Sequence, residues 1–520
     1  MDANGLLTVF TILIAAYALM TEERRADFVL RFAWWDWVIL ILPTVGILLI
    51  IYSDVILRVT SIAPVRWYFG FTKETAIFTL LIILLCCFCM KFIGKRIPKC
   101  NHGKLSELMV ALLKEKKFPM LAYLINRHHV SLLAAIENER WYDVIRRGVR
   151  HPVNFSIDLE PAPKKVVEKI SEIFSRAIIK FTPESNKSKE SLEASIKLCF
   201  KSKAFLRYLA GTHALVVAKF ISTGLLLRSV DVSNNFFNYL ISTPGSALFR
   251  ELRDNQNSSY TGEVYIDESN ELLQYYFSDV KVAVTNQIWE PIASYVISHI
   301  KSQQDKSSFY NAPNDNFSTS DQRWECPIFC GVFFFHIMVS AAIFQRGSDH
   351  MSLTYYVAFL KEILNSTARH DSVNLDSEFP TKFDYLIFEI FSNTCSWVSS
   401  SVNVTKMAEG LISPEWWAAK SLGEQFRNIF DAGEITTTQK IYYFEMLLST
   451  TEQLDLHHRN DLSDLIFDSA TCRYEKGPLD HLRVSRLYWI FERVDSKYNN
   501  ENSSFRSKLF QKFKRIHERG

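Results

Sequence analysis

Three apolar stretches occupy the first hundred residues of this chain, and apolar residues recur at helical spacing through most of the remaining sequence. The stretches cover residues 6–20, 37–52 and 75–92. A membrane helix needs about 20 apolar residues to cross about 30 Å of hydrocarbon. The pattern therefore predicts three N-terminal transmembrane helices within residues 1–96, the first of which is short enough to lie at the membrane interface instead.

Aromatic and helix-breaking residues distinguish the second stretch. Trp34 and Trp35 precede it and Tyr52 ends it, which places aromatic rings at the depth of the lipid headgroups. Pro43 and Gly46 lie inside the stretch and predict a kink in this helix. A bilayer tolerates such a kink when neighbouring helices cover the freed backbone groups.

Basic residues at and beyond the end of the third stretch orient the chain: Lys91, Lys95, Arg96 and Lys99. If the N-terminus lies outside, eight Lys and Arg residues near the spans lie inside and three lie outside. The positive-inside rule therefore predicts a multi-pass protein of the inner or plasma membrane, with its N-terminus outside and its large C-terminal region in the cytoplasm.

Nine cysteines, an odd number without the spacing of a disulfide framework, indicate a reduced intracellular protein. Cys86, Cys87 and Cys89 lie in the last turns of the third span, where they cannot all share one helical face. They are interpreted as small apolar groups, and lipidation stays open for a eukaryotic host. The formal net charge of only +3 does not favour a nucleic-acid partner, which no motif supports.

Beyond the third stretch the chain is predicted to be mainly α. Residues 105–113, 120–125 and 132–136 show three short amphipathic patterns, with Pro119 between the first and the second. Residues 302–325 are polar and poor in aliphatic side chains, as in a flexible loop or domain boundary. We therefore expect a helical cytoplasmic lobe at 97–301 and a second helical lobe at 326–520.

Three segments of this region are ambiguous. Residues 326–344 are long and apolar enough for a fourth membrane segment, but Pro327 near their start and flanks without a positive bias favour a buried core helix. Residues 204–227 contain Lys219 and are also predicted to form a core helix. A Gly-centred alternation at 258–269 predicts a small β-hairpin.

The C-terminal segment has the pattern of a basic amphipathic helix. Its apolar side carries Phe505, Leu509, Phe510, Phe513 and Ile516. Its remaining surface carries Arg506, Lys508, Lys512, Lys514 and Arg515. Such a helix is typical of a membrane or partner surface, and the alternative is a helix docked on the protein's own core.

Common catalytic signatures are missing from the sequence: the Gly-rich phosphate loop, the Gly-x-Ser-x-Gly elbow, His-Glu-x-x-His and paired Cys-x-x-Cys. Residues 455–464 gather histidines and aspartates, and His457 and Asp461 would share a helical face. A third ligand is not placed by the pattern, so a solvated helix junction is favoured over a metal site. Cys326 and Cys330 would also share a face, and buried packing is favoured there.

Arg146 and His151, in the segment RRGVRH, have the spacing of an Arg and a His separated by four residues. This spacing resembles the ribonuclease motif of HEPN domains, in which the two side chains act together on RNA phosphates. The resemblance would imply a nuclease, although Gly148 and Pro152 interrupt the helix that the family requires. A basic juxtamembrane surface explains the same arginines.

The layout favours a membrane-anchored, non-enzymatic sensor or effector that recognises a signal and acts at the membrane. It is similar to the layout of membrane effectors of bacterial anti-phage defence. The expected partners are the lipid bilayer and either a protein partner or further copies of this chain, and no cofactor is expected. The alternatives are a membrane-tethered hydrolase or nuclease and a membrane scaffold for a partner protein.

Overall fold

The computed structural model describes residues 11, 14–53, 72–94, 97–137, 187–223, 230–255, 263–347, 351–369, 372–404, 413–472, 480–497 and 504–519. Within these ranges the chain is almost entirely helical and contains no β-strand; an isolated β-bridge joins Pro313 and Thr381. The predicted mainly α fold is confirmed. Residues 258–262 of the predicted hairpin lie outside the described residues; of residues 263–269, Val264 is in a β-bridge and the others form turns and irregular structure.

The described residues form two compact units. The first contains the residues up to Leu209 together with Thr223, and the second contains Ala210–Ser222 and the residues from Val230 onward. The predicted boundary segment at 302–325 lies inside the second unit, where the Asn311 side chain is buried and donates to the carbonyls of Gln303 and Ser366. Mobility of this segment stays a prediction.

The first unit contains seven helices with described bounds, of which the second and third are apolar. They are α1 (Glu22–Leu30), α2 (Trp34–Ile51), α3 (Lys73–Ile93), α4 (His102–Lys114), α5 (Phe118–Glu137), α6 (Lys187–Lys201) and most of α7 (Lys203–Thr212). Residues 105–136 form two helices rather than the three predicted, because Pro119 lies in the first turn of α5, where its missing N–H costs nothing, and no breaker separates the next two patterns.

Helices α2 and α3 are long and apolar enough to cross a membrane, and they correspond to the second and third predicted spans. Their 18 and 21 residues rise about 27 and 32 Å, which matches the hydrocarbon thickness of a bilayer. Only 6% and 22% of their apolar windows are buried inside the protein. Of the first predicted span, Thr11 and residues 14–18 are helical, and 6–10, 12 and 13 lie outside the described residues.

The two apolar helices pack through a small cluster. Ile47 of α2 and Ile77 and Leu81 of α3 are buried there. A Cβ atom added at Gly46 would lie 3.3 Å from the Leu80 Cδ1 atom, so glycine permits the close approach of the two helices. Pro43 lies inside a helix that continues without a break from Trp34 to Ile51, and the predicted kink at this position stays a prediction.

Helices of the second unit surround one apolar helix. They are α8 (Ala214–Ser222), α9 (Val230–Ser242), α10 (Ala247–Asp254), α11 (Glu271–Phe277), α12 (Val280–Thr285), α13 (Trp289–Lys301), α14 (Pro327–Phe344), α15 (Met351–Ser366), α16 (Lys382–Ser400), α17 (Pro414–Asp431), α18 (Thr437–Leu456), α19 (Asn460–Thr471), α20 (His481–Lys497) and α21 (Ser504–Arg519). The helix predicted at 204–227 is instead two helices separated at His213, and they reach the length of a span only when taken together.

Helix α14 also passes the length and hydropathy test for a membrane span, but 72% of its window is buried by other parts of the protein. This burial agrees with the core-helix interpretation of residues 326–344.

On α14, His336 accepts a hydrogen bond at Nδ1 from the Trp397 indole N–H of α16, at 3.1 Å. Burial lowers the pKa of His336 to about 4, so this histidine is neutral at physiological pH.

Glycine at position 423 permits a close helix approach in the second unit. A Cβ atom there would lie 2.3 Å from the Ile466 carbonyl oxygen and 2.6 Å from the Ser469 Cβ atom. Helices α17 and α19 therefore pack with their backbones almost in contact at this point. The start of α17 follows the sequence prediction, since Ser413 caps the helix by accepting from the Trp416 N–H and Pro414 occupies its first turn.

Candidate functional site: an ionic junction at the end of a membrane helix

A buried carboxylate on α1 connects three parts of the first unit. Asp27 is only 1% exposed, and Arg31, one turn later on the same helix, pairs with it through the guanidinium Nε and Nη2 atoms. Arg31 Nη1 also donates to the carbonyl oxygens of Lys91 (3.2 Å) and Phe92 (3.0 Å). These carbonyls belong to the last turn of α3, where backbone acceptors lack helical partners. Arg31 therefore joins α1 to the end of α3.

Helix α5 supplies the other partners of this carboxylate. His128 Nε2 lies 2.5 Å from Asp27 Oδ1, and its side chain is fully buried. Arg127 Nε lies 2.9 Å from Asp27 Oδ2, although its N–H does not point at an acceptor well enough for a hydrogen bond. Asp27, Arg31, Arg127 and His128 are called the ionic junction below. One acidic side chain thus meets three basic ones from two helices.

The electrostatic balance keeps Asp27 ionised. Burial alone raises the pKa of a carboxyl group, but hydrogen bonds from His128 and Arg31 outweigh burial, and the net pKa of Asp27 lies below its usual value. The carboxylate is therefore negative at neutral pH and fixes the positive groups around it. Because one partner of a buried ion pair is costly to leave alone, the buried pair Asp27 and Arg31 stays together or separates as one event.

Further contacts at the same end hold the neighbouring chain segments. The Asn101 side-chain amide donates to the carbonyls of Leu30 (2.9 Å) and Phe32 (2.8 Å), just beyond the ionic junction. Lys91 Nζ lies 2.7 Å from the Asp36 carboxylate, which joins the end of α3 to the start of α2. The loop after α1, both apolar helices and α5 are therefore linked within one small region.

Aromatic rings cover the apolar side of the ionic junction. Phe28 contacts Phe32, Phe88 and Phe92, with ring centroids 4.8, 5.2 and 6.3 Å away. A cavity of about 200 Å³ opens beside these rings. Its walls are formed by Met20, Arg24, Asp27, Phe28, Arg31, Phe92, Tyr123 and Arg127.

The sequence-predicted topology residues fall around this region, but the structure describes only some of them. Lys91 forms the ion pair with Asp36. Lys95 and Arg96 lie outside the described residues, and for Lys99 only the backbone is described, at the start of a 3₁₀ turn. Their role in orientation stays a prediction.

Nothing in the described residues supplies a metal site, since no group of three His, Cys, Asp or Glu side chains could hold an ion. The predicted helical face shared by His457 and Asp461 is wrong: α18 ends at Leu456, His458 has a positive φ of 58°, and α19 begins at Asn460. Arg146 and His151 lie outside the described residues.

The thiols of Cys326 and Cys330 are buried at the start of α14, in agreement with the packing interpretation. Burial raises the pKa of both thiols. Cys326 Sγ accepts from the Phe329 N–H and lies 3.2 Å from the Tyr310 hydroxyl, while Cys330 donates to the Trp324 carbonyl. Neither thiol is placed or charged as a nucleophile.

The C-terminal helix α21 docks on its own unit. Leu509 and Phe513 are 6% and 1% exposed, and Phe513 contacts Phe467 with ring centroids 5.9 Å apart. Arg506 pairs with Glu452 at 2.9 Å. Lys514 and Arg515 remain partly or fully exposed, and the side chains of Lys508 and Lys512 lie outside the described residues. Its apolar side is thus used by the protein's own core, and a basic surface for a membrane or partner stays a prediction.

A second cavity, of about 340 Å³, lies between α17, α18 and α20. It is lined by Phe430, Thr437, Lys440, Arg486, Trp489, Ile490 and Arg493. Burial lowers the pKa of Lys440, Asp431 opposes this shift, and Arg486 adds to it. Arg486, Trp489 and Arg493 are exposed to solvent, so hydration is sufficient to stabilise these charges.

The chain matches no protein-family model, no curated protein and no solved structure.

Charge counting along the sequence missed most of the ionic junction. Arg31 is one of the eight Lys and Arg residues that the positive-inside rule counts, and no motif points to Asp27, Arg127 or His128. The available signal was local: Asp27 is a lone acid that follows two arginines, four residues before Arg31, which is the spacing of a helical ion pair. Nothing in the sequence pattern points to its third and fourth partners, about a hundred residues later.

Proposed function

We propose that this protein is a membrane-anchored, non-enzymatic sensor or effector in which the ionic junction transmits a change in the helical region to the membrane helices. The observation that carries the proposal is the position of Arg31. Its guanidinium joins the Asp27 carboxylate to the last carbonyls of α3, while the same carboxylate joins α5. A displacement of α5 changes contacts of the membrane helix directly.

The ionic junction has the properties of a two-state element. Buried charges that share one counterion do not separate gradually, because each intermediate leaves an uncompensated charge in a poorly solvated site. A signal that moves α5 would therefore release α1 and the end of α3 as one event. Such a discrete rearrangement is how local binding is converted into a structural response.

The response would occur in the membrane. The Gly46 side of α2 is filled by α3 of the same chain, so association between copies would use the outward side of α2, where Leu42, Val45 and Leu49 are 64%, 44% and 55% exposed. Several copies brought together through this side would form a leaky bundle. The distribution of positive charge supports a cytoplasmic location for the large helical region of a protein in the inner or plasma membrane.

Bacterial anti-phage defence is the setting that the layout favours, and it provides the test. Cells that express the full chain are challenged with a panel of phages while a potential-sensitive dye reports the membrane potential. We expect protection against at least one phage, with depolarisation on infection. Asp27→Asn should lose both responses, and Glu22→Gln, which removes an exposed charge from the same helix, should keep them.

Two results would count against different parts of the proposal. Protection with an unchanged membrane potential would remove action at the membrane. Normal protection and depolarisation in Asp27→Asn would remove the ionic junction as the transmitting element, and absence of protection against the whole panel would remove the defence setting.

A further inference from the structure

The cavity beside the ionic junction lies at the end of α3. Phe92, which lines it, is the last residue but one of α3. If this helix of 21 residues spans the bilayer, its rise of about 32 Å brings one end to the hydrocarbon boundary on each side. A cavity at that end therefore faces the phosphates of the adjacent lipid leaflet.

The charges that line this cavity are unbalanced. Arg24, Arg31 and Arg127 face a single carboxylate, Asp27, which leaves an excess of two positive charges. The Arg127 Nε–H is buried and is not directed at an acceptor, although its nitrogen lies 2.9 Å from Asp27 Oδ2. Arginine is the side chain best suited to bind phosphate oxygens in pairs.

The size and the remaining lining fit more than a small ion. The volume of about 200 Å³ is more than ten times the 10–15 Å³ or so that one water molecule requires. Met20, Phe28 and Phe92 supply an apolar wall, and Tyr123 supplies a hydroxyl group. A ligand with a phosphate at one end and hydrocarbon at the other satisfies both parts of this surface.

We propose that this cavity binds the phosphate of an anionic phospholipid, with Arg24 and Arg127 as its ligands and the apolar wall against the lipid glycerol and first acyl carbons. The inference rests on the membrane insertion of α3 that the proposed function assumes, but not on a sensor or effector role. The bound phosphate would offset the excess positive charge and stabilise the ionic junction, so the junction would be firmer in an anionic membrane.

The experiment uses the full chain in nanodiscs of phosphatidylcholine, with or without phosphatidylglycerol. The protein is extracted into detergent, washed, and analysed by native mass spectrometry for retained lipid. We expect wild type to retain phosphatidylglycerol, and we expect Arg24→Gln and Arg127→Gln each to retain at least fivefold less. A third arm adds inorganic phosphate to the nanodiscs that contain phosphatidylglycerol, and displacement of the lipid by this phosphate separates a lipid phosphate from a free one.

Arg25→Gln is the matched control. It removes the same charge one residue along α1, at the same depth, and the Arg25 Nε–H already donates to the Met20 carbonyl at 3.0 Å instead of lining the cavity. This variant should retain lipid as wild type does. Because Arg24 is exposed, its replacement should not unfold α1, and circular dichroism of each variant checks this.

Three results would overturn the inference. Loss of phosphatidylglycerol from Arg25→Gln equal to that from Arg24→Gln would indicate a general attraction of lipid to the positive surface. Retention of phosphatidylcholine equal to that of phosphatidylglycerol would remove the preference for anionic lipid. Competition by inorganic phosphate would assign the cavity to a free anion. Release of the protein from membranes by alkaline carbonate would instead contradict membrane insertion, and would thereby separate failure of the proposed anchoring from failure of this lipid site.

Discussion

Replacement of Asp27 by asparagine is the sharpest perturbation of the ionic junction. The substitution keeps the size of the side chain but removes the charge that holds Arg31, whose side chain is only 4% exposed. Breaking a buried ion pair from one side costs about 3–5 kcal/mol. We expect the lower end, about 3 kcal/mol, because the Arg31 guanidinium keeps its bonds to the Lys91 and Phe92 carbonyls.

Hydrogen exchange measures this loss where it occurs. A cost of about 3 kcal/mol increases the equilibrium constant for local opening roughly a hundredfold. Peptides that cover Glu22–Leu30 and the part of α5 around His128 should therefore exchange about a hundredfold faster in Asp27→Asn, in protein reconstituted in nanodiscs. Glu22→Gln is the control, because the Glu22 side chain is 72% exposed and its contact with Lys117 is long, at 3.8 Å.

A double-mutant cycle decides whether loss of the Asp27–Arg31 ion pair causes the faster exchange. If Asp27 acts mainly through Arg31, then Arg31→Gln combined with Asp27→Asn should cost less than the sum of the two single changes. Strict additivity, or exchange in Asp27→Asn no faster than in Glu22→Gln, would refute the physical reasoning behind the ionic junction.

Three further predictions concern packing and protonation. Gly46→Leu should lower the thermal midpoint in detergent, because its side chain would collide with the facing helix, whereas Gly46→Ala should have little effect. Gly423→Ala should destabilise the second unit by about 3 kcal/mol in chemical denaturation. Gly211 also lies in a helix but has open space at its Cβ position, so Gly211→Ala should stabilise the unit by about 0.5–1 kcal/mol. Equal effects of the two substitutions would contradict the close approach of α17 and α19. The pKa of His336 is about 4 in the folded protein and about 6.5 in the unfolded chain, so the unfolded chain takes up a proton first as the pH falls. His336 should therefore lower the free energy of unfolding of the wild type by about 2 kcal/mol between pH 7 and pH 5. His336→Gln should lack this loss, and an unchanged pH dependence of denaturation would contradict it.

Helix content and the second and third apolar spans could be predicted because they depend on neighbouring residues alone. The spans predicted at 37–52 and 75–92 correspond to helices at Trp34–Ile51 and Lys73–Ile93. A bilayer demands an unbroken run of apolar side chains, and such a run is visible without knowledge of tertiary contacts. The same is true of the capped start of α17 at Ser413.

Tertiary pairing limited the rest of the prediction. Whether residues 326–344 form a core helix depends on what surrounds them, and their hydropathy is the same as that of Trp34–Ile51. The burial of 72% against 6% separates the two helices in the folded chain. Likewise, the helices break at His213 and at His457, although the sequence pattern at both positions looks like one continuous helix. Packing decides where a helix ends as much as local propensity does.

The ionic junction illustrates the limit most clearly. Counting of positive charges treats Arg31 as one of several equivalent cations beside a span, which is adequate for orientation, since acidic residues contribute little to that rule. In the folded chain, Arg31 is 3% exposed and neutralised by Asp27, whereas Arg24 on the same helix is exposed. The sequence pattern shows both charges but not their partners, and the partners determine the role of each.

An apolar replacement of the ionic junction separates stability from signalling. Buried ion pairs are often no more stabilising than well-packed apolar side chains of similar size. We therefore expect Asp27→Leu, Arg31→Met and His128→Leu together to melt at or above the wild-type temperature, although Asp27→Asn alone melts lower. Arg127 stays in place, because its side chain is 29% exposed and can turn toward solvent.

The same triple variant should fail to depolarise the membrane in the phage assay, because an apolar contact has no counterion to lose and no discrete point of release. High stability combined with lost response would show that the charges are kept for switching. A triple variant that is both stable and fully responsive would instead show that α1 and α5 need only be packed together, and it would refute a transmitting role for the ionic junction.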